Sequence, residues 1–157
     1  MSHIKTMTAA AALTALLGAC SPSATWTAYT YKPHHFAAAF TAPPKAGASD
    51  NPFLVEQNDG EVDFGVTAAC AAAPKNSDLI LSDAIAGTRS SGTVRDVTYV
   101  ALGQTMGREF MVDRSGAPTV RERLFAKDNC LYIVFATTAN GDDDERVAHF
   151  LDSFRLL

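Results

Sequence analysis

The chain has 157 residues, of which 47% are hydrophobic and 19% charged, with a formal net charge of −4 at neutral pH. That length suits one domain around one core. A mildly acidic balance lacks the basic footprint that nucleic acid needs, and it excludes electrostatic docking to anionic lipid.

The chain opens on a positive amino terminus and Lys5, then an apolar run from Ala9 to Leu17, then the small residues Gly18 and Ala19. This is the order of a secretory leader. A membrane-spanning helix needs about 20 apolar residues, more than this run supplies. An ordinary cleaved leader needs no cysteine at its end, yet Cys20 follows directly. Leu16-Leu17-Gly18-Ala19-Cys20 resembles the lipobox of bacterial lipoproteins. The resemblance implies that residues 1–19 are a signal peptide cut off before Cys20, whose thiol is then acylated. Ser21 follows rather than aspartate, which in the enterobacterial lipoproteins it resembles favours an outer-membrane address facing the periplasm. Loss of Lys5 leaves the remainder more acidic, so acyl chains on Cys20, and more than one of them, would hold the membrane. Residues 20–24 then form a short tether of about 3.3 Å per residue, and residues 25–157 a single globular domain close to the membrane surface.

Thr25 to Tyr31 is β-branched and aromatic and reads as a strand. Phe36 to Phe40 reads as a second, ended by Pro43-Pro44. Phe53–Gln57 and Val62–Thr67 flank Asn58-Asp59-Gly60, a hairpin signal. A two-residue Asp59-Gly60 turn sets Gln57 opposite Val62, Val55 opposite Phe64 and Phe53 opposite Val66, with five apolar residues on one face. A helix starts at Asn76-Ser77-Asp78, with Ser77 as N-cap, and carries Leu81, Ala84, Ile85 and Thr88 on one stripe. Gly87 weakens its end and Ser90-Ser91-Gly92 closes it. Strands follow at Val94–Leu102, Arg108–Asp113, Thr119–Ala126 and Leu131–Thr137, broken at Gly103, Ser115-Gly116 and Asp128-Asn129. The last element starts at Asn140-Gly141 and places Val147, Phe150, Leu151 and Phe154 on one helical face. Runs of strands with one inserted and one terminal helix predict an α+β domain with a mainly antiparallel β-sheet.

The second half resembles the Mog1/PsbP-like superfamily, also found in bacterial lipoproteins. The matching stretches are Gly107-Arg108-Glu109-Phe110, Arg121-Glu122-Arg123-Leu124-Phe125, Leu131-Tyr132 and, most clearly, Phe150-Leu151-Asp152-Ser153-Phe154. They cover about residues 94–157, and Phe36 to Pro44 fits the family's opening strand more weakly. The resemblance implies an antiparallel sheet covered by helices, no enzyme activity, and work done by docking on partner proteins. It carries over no partner-binding residue, and a shared fold is weak evidence of a shared task.

Cys70 and Cys130 are the two remaining cysteines. In an exported protein an even pair invites a disulfide. The other reading is two separate buried thiols packing as small hydrophobes. Arg121, Glu122 and Arg123 alternate on a strand expected beside the one bearing Arg108 and Glu109. They read as cross-strand ion pairs on a solvated face or, more sharply, as a polar binding face for a partner or ligand. A two-residue turn at Asp128-Asn129 sets Glu122 opposite Phe135 on an apolar face. There a carboxylate needs a partner, and Arg108 or an arginine nearby is expected. Asp142-Asp143-Asp144-Glu145 lacks the alternation of a calcium loop and suits a helix start. His34, His35 and His149 lack metal-ligand spacing. Trp26, Tyr29 and Tyr31 read as core or edge strand, or as an aromatic patch touching the bilayer or a partner. Cys70 has no basic neighbour before Lys75 to activate it. No nucleophile constellation, metal site or cofactor motif is visible. The expectation is therefore a non-enzymatic envelope module that docks on another protein. A small-molecule or metal-binding lipoprotein is the alternative.

Overall fold

A computed structural model of the protein describes residues 24–138 and 144–157. Its strands run β1 (Thr27–Tyr31), β2 (Phe36–Phe40), β3 (Lys45–Ala46), β4 (Phe53–Asn58) and β5 (Val62–Cys70). Helix α1 (Ser77–Arg89) follows, then β6 (Thr93–Leu102), β7 (Thr105–Asp113), β8 (Thr119–Lys127), β9 (Cys130–Thr138), α2 (Glu145–Ser153) and β10 (Arg155–Leu156). Among the described residues the strands form two antiparallel sheets. The larger has the order β3-β4-β5-β9-β8-β7-β6, and the smaller β1-β2-β10.

The turns explain the meander. Gly103 and Gly116 hold φ at +60° and +71°, and Asp128 and Asn129 at +50° and +65°. Two consecutive left-handed residues make the tight hairpin turn that matches strand twist. Glu122 accordingly faces Phe135 across β8 and β9.

The β4–β5 hairpin departs from expectation. Gln57 lies opposite Phe64, Val55 opposite Val66 and Phe53 opposite Ala68, two residues beyond the predicted register. The cause is a longer turn: Asn58 Oδ1 accepts the Gly60 N–H, while Asp59 Oδ1 accepts those of Glu61 and Val62. A slip of two keeps every side chain on its face, so Phe53, Val55, Val62, Phe64 and Val66 are all buried together.

Helix α1 is capped by Asn76 rather than Ser77. Asn76 Oδ1 accepts the Asp78 and Leu79 N–H groups at 2.8 and 3.4 Å, and Ser77 is the first helical residue. Asparagine caps as well as serine, and here it holds the extended backbone of a cap. Helix α2 begins at Glu145 and is capped by Asp144, which accepts the Arg146 N–H at 2.9 Å. The expected start at Asn140-Gly141 lies outside the described residues.

Two cores result. One joins the small sheet and α2 to β4, β5 and β9 through Phe36, Phe40, Phe64, Phe150 and Phe154. The ring centroids of Phe64 and Phe40 lie 5.0 and 5.2 Å from that of Phe150. Each buried phenylalanine contributes about 2–3 kcal/mol. The other core packs Leu81 and Ile85 of α1 on Phe110, Val112 and Leu124 of β7 and β8. Among the described residues no helix is long and apolar enough to cross a membrane.

Candidate functional site

The large sheet is covered diagonally. On one face the small sheet and α2 lie over β4, β5 and β9; on the other α1 lies over β6, β7 and β8. Among the described residues each face therefore keeps one half without a helix. Side chains alternate along a strand, and this divides the five residues expected to form one polar face. Glu109, Arg121 and Arg123 point to the α2 side, while Arg108 and Glu122 point to the α1 side. They are not one surface.

The bare half on the α2 side is polar and closed on itself. Glu109 accepts from Arg121 Nε and Nη2 at 3.0 and 2.5 Å, and also from Arg123 Nε. Arg123 Nη1 reaches Asp152 at the end of α2 at 2.6 Å. Burial alone would raise the Glu109 pKa, but hydrogen bonds from Arg123 and Arg121 hold it below its ordinary value. Arg123 is likewise half-buried, yet Glu109 and Asp152 hold its guanidinium above the usual range. Beside them Arg95 Nε and Thr119 Oγ1 donate to Asp113 at 2.7 and 2.8 Å, which lowers that carboxyl. Every charge here meets an opposite one.

On the α1 side, Arg108 is not the partner of Glu122. Its guanidinium lies 4.0 Å from the centroid of the Tyr99 ring and 3.9 Å from Asp78 of α1. Arg108 sits opposite Leu124, one row away from Glu122, and its side chain reaches toward the α1 N-terminus instead. Glu122 is 7% exposed, between Phe110 and Phe135 on the neighbouring strands. Its ion partner is Arg114 of the β7–β8 loop, at 4.0 Å. Burial raises its pKa, and the Arg114 charge only partly opposes that.

The other bare half, on the α1 side of β4, β5 and β9, is a trough. Its floor is Leu54, Thr67, Ala69, Leu131, Ile133 and Phe135, all half-buried. Phe135 lies against Gly65, where a Cβ would stand 2.2 Å from its Cζ; only glycine lets the ring rest there. A concavity of about 480 Å³ at one end is lined by Lys45, Glu56, Asp63, Phe135 and Thr137 among others. Thr137 Oγ1 donates to Asp63 at 2.9 Å, and Asn58 Nδ2 also donates to that carboxylate. At the other end, between α1 and β9, a concavity of about 270 Å³ is lined by Lys75, Ile80, Asp83, Ala84 and Leu131 among others. Sequence reading passed over this surface, although β9 carried a signal. Leu131, Ile133 and Phe135 alternate with Tyr132, Val134 and Ala136, so both faces are apolar, as in a strand covered on both sides.

The remaining candidates fall elsewhere. Cys70 and Cys130 are opposite each other on β5 and β9 and are joined by a disulfide. His34 stacks on Phe53 with ring centroids 3.7 Å apart, and His149 on Trp26 at 4.4 Å. Among the described residues no three of His, Cys, Asp and Glu converge as metal ligands. Trp26, Tyr29 and Tyr31 pack partly buried on Phe64, Phe40 and Phe36, so they extend the first core. Arg146 ties α2 to the β4–β5 turn, reaching Asp144, Glu61 and Asp59 at 2.7, 3.0 and 3.3 Å. Cys20, Asp142 and Asp143 lie outside the described residues.

No family model and no curated protein sequence matches the chain. A solved structure similar to it is the solution structure of cyanobacterial PsbP (CyanoP) from Synechocystis sp. PCC 6803. The TM-score is 0.59 at 10% identity, over 90% of this chain and 99% of that one. The fold is thus PsbP-like: an α+β architecture of mostly antiparallel sheet with two helices.

Proposed function

We propose that the protein is a non-enzymatic module, anchored in the bacterial envelope through acyl chains on Cys20, that docks on another envelope protein or assists its assembly. The outer membrane, with the domain facing the periplasm, is the proposed address. The observation that carries the reading is the contrast between the two bare half-faces. The polar one satisfies its own charges, whereas the apolar one keeps Leu54, Ile133 and Phe135 half-buried with no helix above them among the described residues. A partner seated there would remove the rest of this apolar area from water. The leader and Cys20 support the anchor. Trp26 stacks on His149 and packs on Phe64, so the chain reaches the fold beside α2, within about 20 Å of Cys20 at full extension.

A second reading, a lipoprotein that binds a small molecule, draws on the concavity at Phe135. An aromatic ring there sits among Lys45, Glu56 and Asp63, the mixed lining of a ligand pocket.

In-cell cross-linking followed by affinity recovery from solubilised membranes tests the docking reading, comparing wild type with Cys20→Ala. One specific envelope partner, lost or weakened in the variant, supports it. No partner from a protein shown to be membrane-bound overturns it and moves ligand binding to the front.

A further inference from the structure

The trough sets conditions on what can cover it. Strand β5 is hydrogen-bonded to β4 and β9, and β9 to β5 and β8, so the floor offers side chains and no free backbone ladder. A segment buried against it must satisfy its own N–H and C=O groups. An α-helix does so internally, and an extended strand does not. The dimensions agree. From Leu131 to Thr137 the floor runs about 20 Å, the length of about 13 helical residues. The three strands β4, β5 and β9 span about 10 Å, one helix diameter. Helix α1, with 13 residues, already covers the neighbouring strands in this way. Ile80 and Ala84 on its flank form the trough wall beside Leu131.

The rim selects by charge. Three acidic groups, Glu56, Asp63 and Asp83, face two lysines, Lys45 and Lys75, around the two concavities. The lining keeps one acidic group in surplus. Neither described helix of a second copy is available to cover it, because α1 and α2 turn their apolar stripes into their own cores.

We propose that the trough receives one amphipathic helix of a partner protein, apolar toward Ile133 and Phe135 and basic along its edges. This rests on the docking reading and assigns its surface.

The test uses the full chain in cells, with the photoreactive residue p-benzoylphenylalanine at Thr67 in the trough or at Thr98 on the other face of β6. The expected result is an adduct from Thr67 alone. Its cross-linked partner peptide is an amphipathic helical segment with Lys or Arg at its edges. Adding Ala69→Arg, which narrows the trough and repels a basic edge, lowers the yield at least tenfold while leaving protein level and the Cys70–Cys130 bridge intact. An adduct to an extended or acidic segment, to a second copy of the chain, or from Thr98 alone overturns the proposal. No adduct from Thr67, with a partner still recovered in the Cys20→Ala comparison, overturns the trough and leaves docking standing. No partner in either experiment overturns both.

Discussion

The two half-faces without a helix differ in how they meet water. On the α2 side Glu109, Arg121, Arg123 and Asp152 replace hydration by pairing with one another. A network with every member satisfied needs no cover. On the α1 side, Leu54, Ile133 and Phe135 have no such recourse, and the one buried carboxylate, Glu122, meets its arginine only at 4.0 Å. The conspicuously charged face pairs its own charges, and the plain one leaves apolar side chains half-buried.

Four measurements break or sharpen this contrast. The largest effect belongs to the disulfide that clamps β5 to β9 beneath the trough. Cys70→Ser with Cys130→Ser frees residues 60 apart in sequence, which costs about 4 kcal/mol in the chain-entropy account. Denaturant melts of oxidised and doubly substituted protein check it; a loss below about 1 kcal/mol would mean that strand pairing alone holds the trough floor.

Two glycines compare the halves directly. At Gly107, on the polar side, an added Cβ would meet the Leu124 carbonyl oxygen at 2.3 Å, so a strand must move. At Gly65 the obstacle is the Phe135 ring, which can swing into the open trough. Gly107→Ala is expected to cost about 3 kcal/mol and Gly65→Ala about 1 kcal/mol. Equal costs in thermal unfolding would show that Phe135 has no room to move.

Glu109→Gln removes the carboxylate that neutralises two half-buried arginines, and should cost about 2 kcal/mol at neutral pH. Because the Glu109 pKa is lowered in the fold, its contribution is complete above the ordinary carboxylate range. It fades as pH falls through the lowered value. The smallest effect has the opposite sign. Glu122 has a raised pKa, so its burial as an ion opposes folding at neutral pH, and this handicap is relieved as pH falls through the raised value. Glu122→Gln should stabilise by about 1 kcal/mol at neutral pH and make no difference in acid, where wild type is protonated. A destabilised Glu122→Gln at neutral pH would mean that the Arg114 pair outweighs desolvation.

Much of this site could be read from local rules. The Asp128-Asn129 turn placed Glu122 opposite Phe135, because two left-handed residues leave the hairpin a single register. The Asp59-Gly60 hairpin misled by two residues, since side-chain acceptors on Asn58 and Asp59 stabilise a longer turn that backbone patterning does not reveal. The arginine expected beside Glu122 is there, but it is Arg114 rather than Arg108; it comes from a loop, where no periodicity fixes direction. Grouping Arg108 and Glu122 with Glu109, Arg121 and Arg123 followed charge, whereas the strand register puts the two sets on opposite faces of the sheet.

What the sequence by itself determined was local: which segments are strands or helices, which residues share a face, and where the tight turns fall. Those follow from period-two and period-3.6 patterning and from turn chemistry within a few residues. What only the tertiary structure decided was non-local. It brought β5 beside β9 so that Cys70 meets Cys130, and it laid α1 and α2 on opposite halves of opposite faces. An apolar strand face reads the same whether a helix covers it or not. Its neighbours are chosen by pairings between segments tens of residues apart, through packing that no short window of sequence contains.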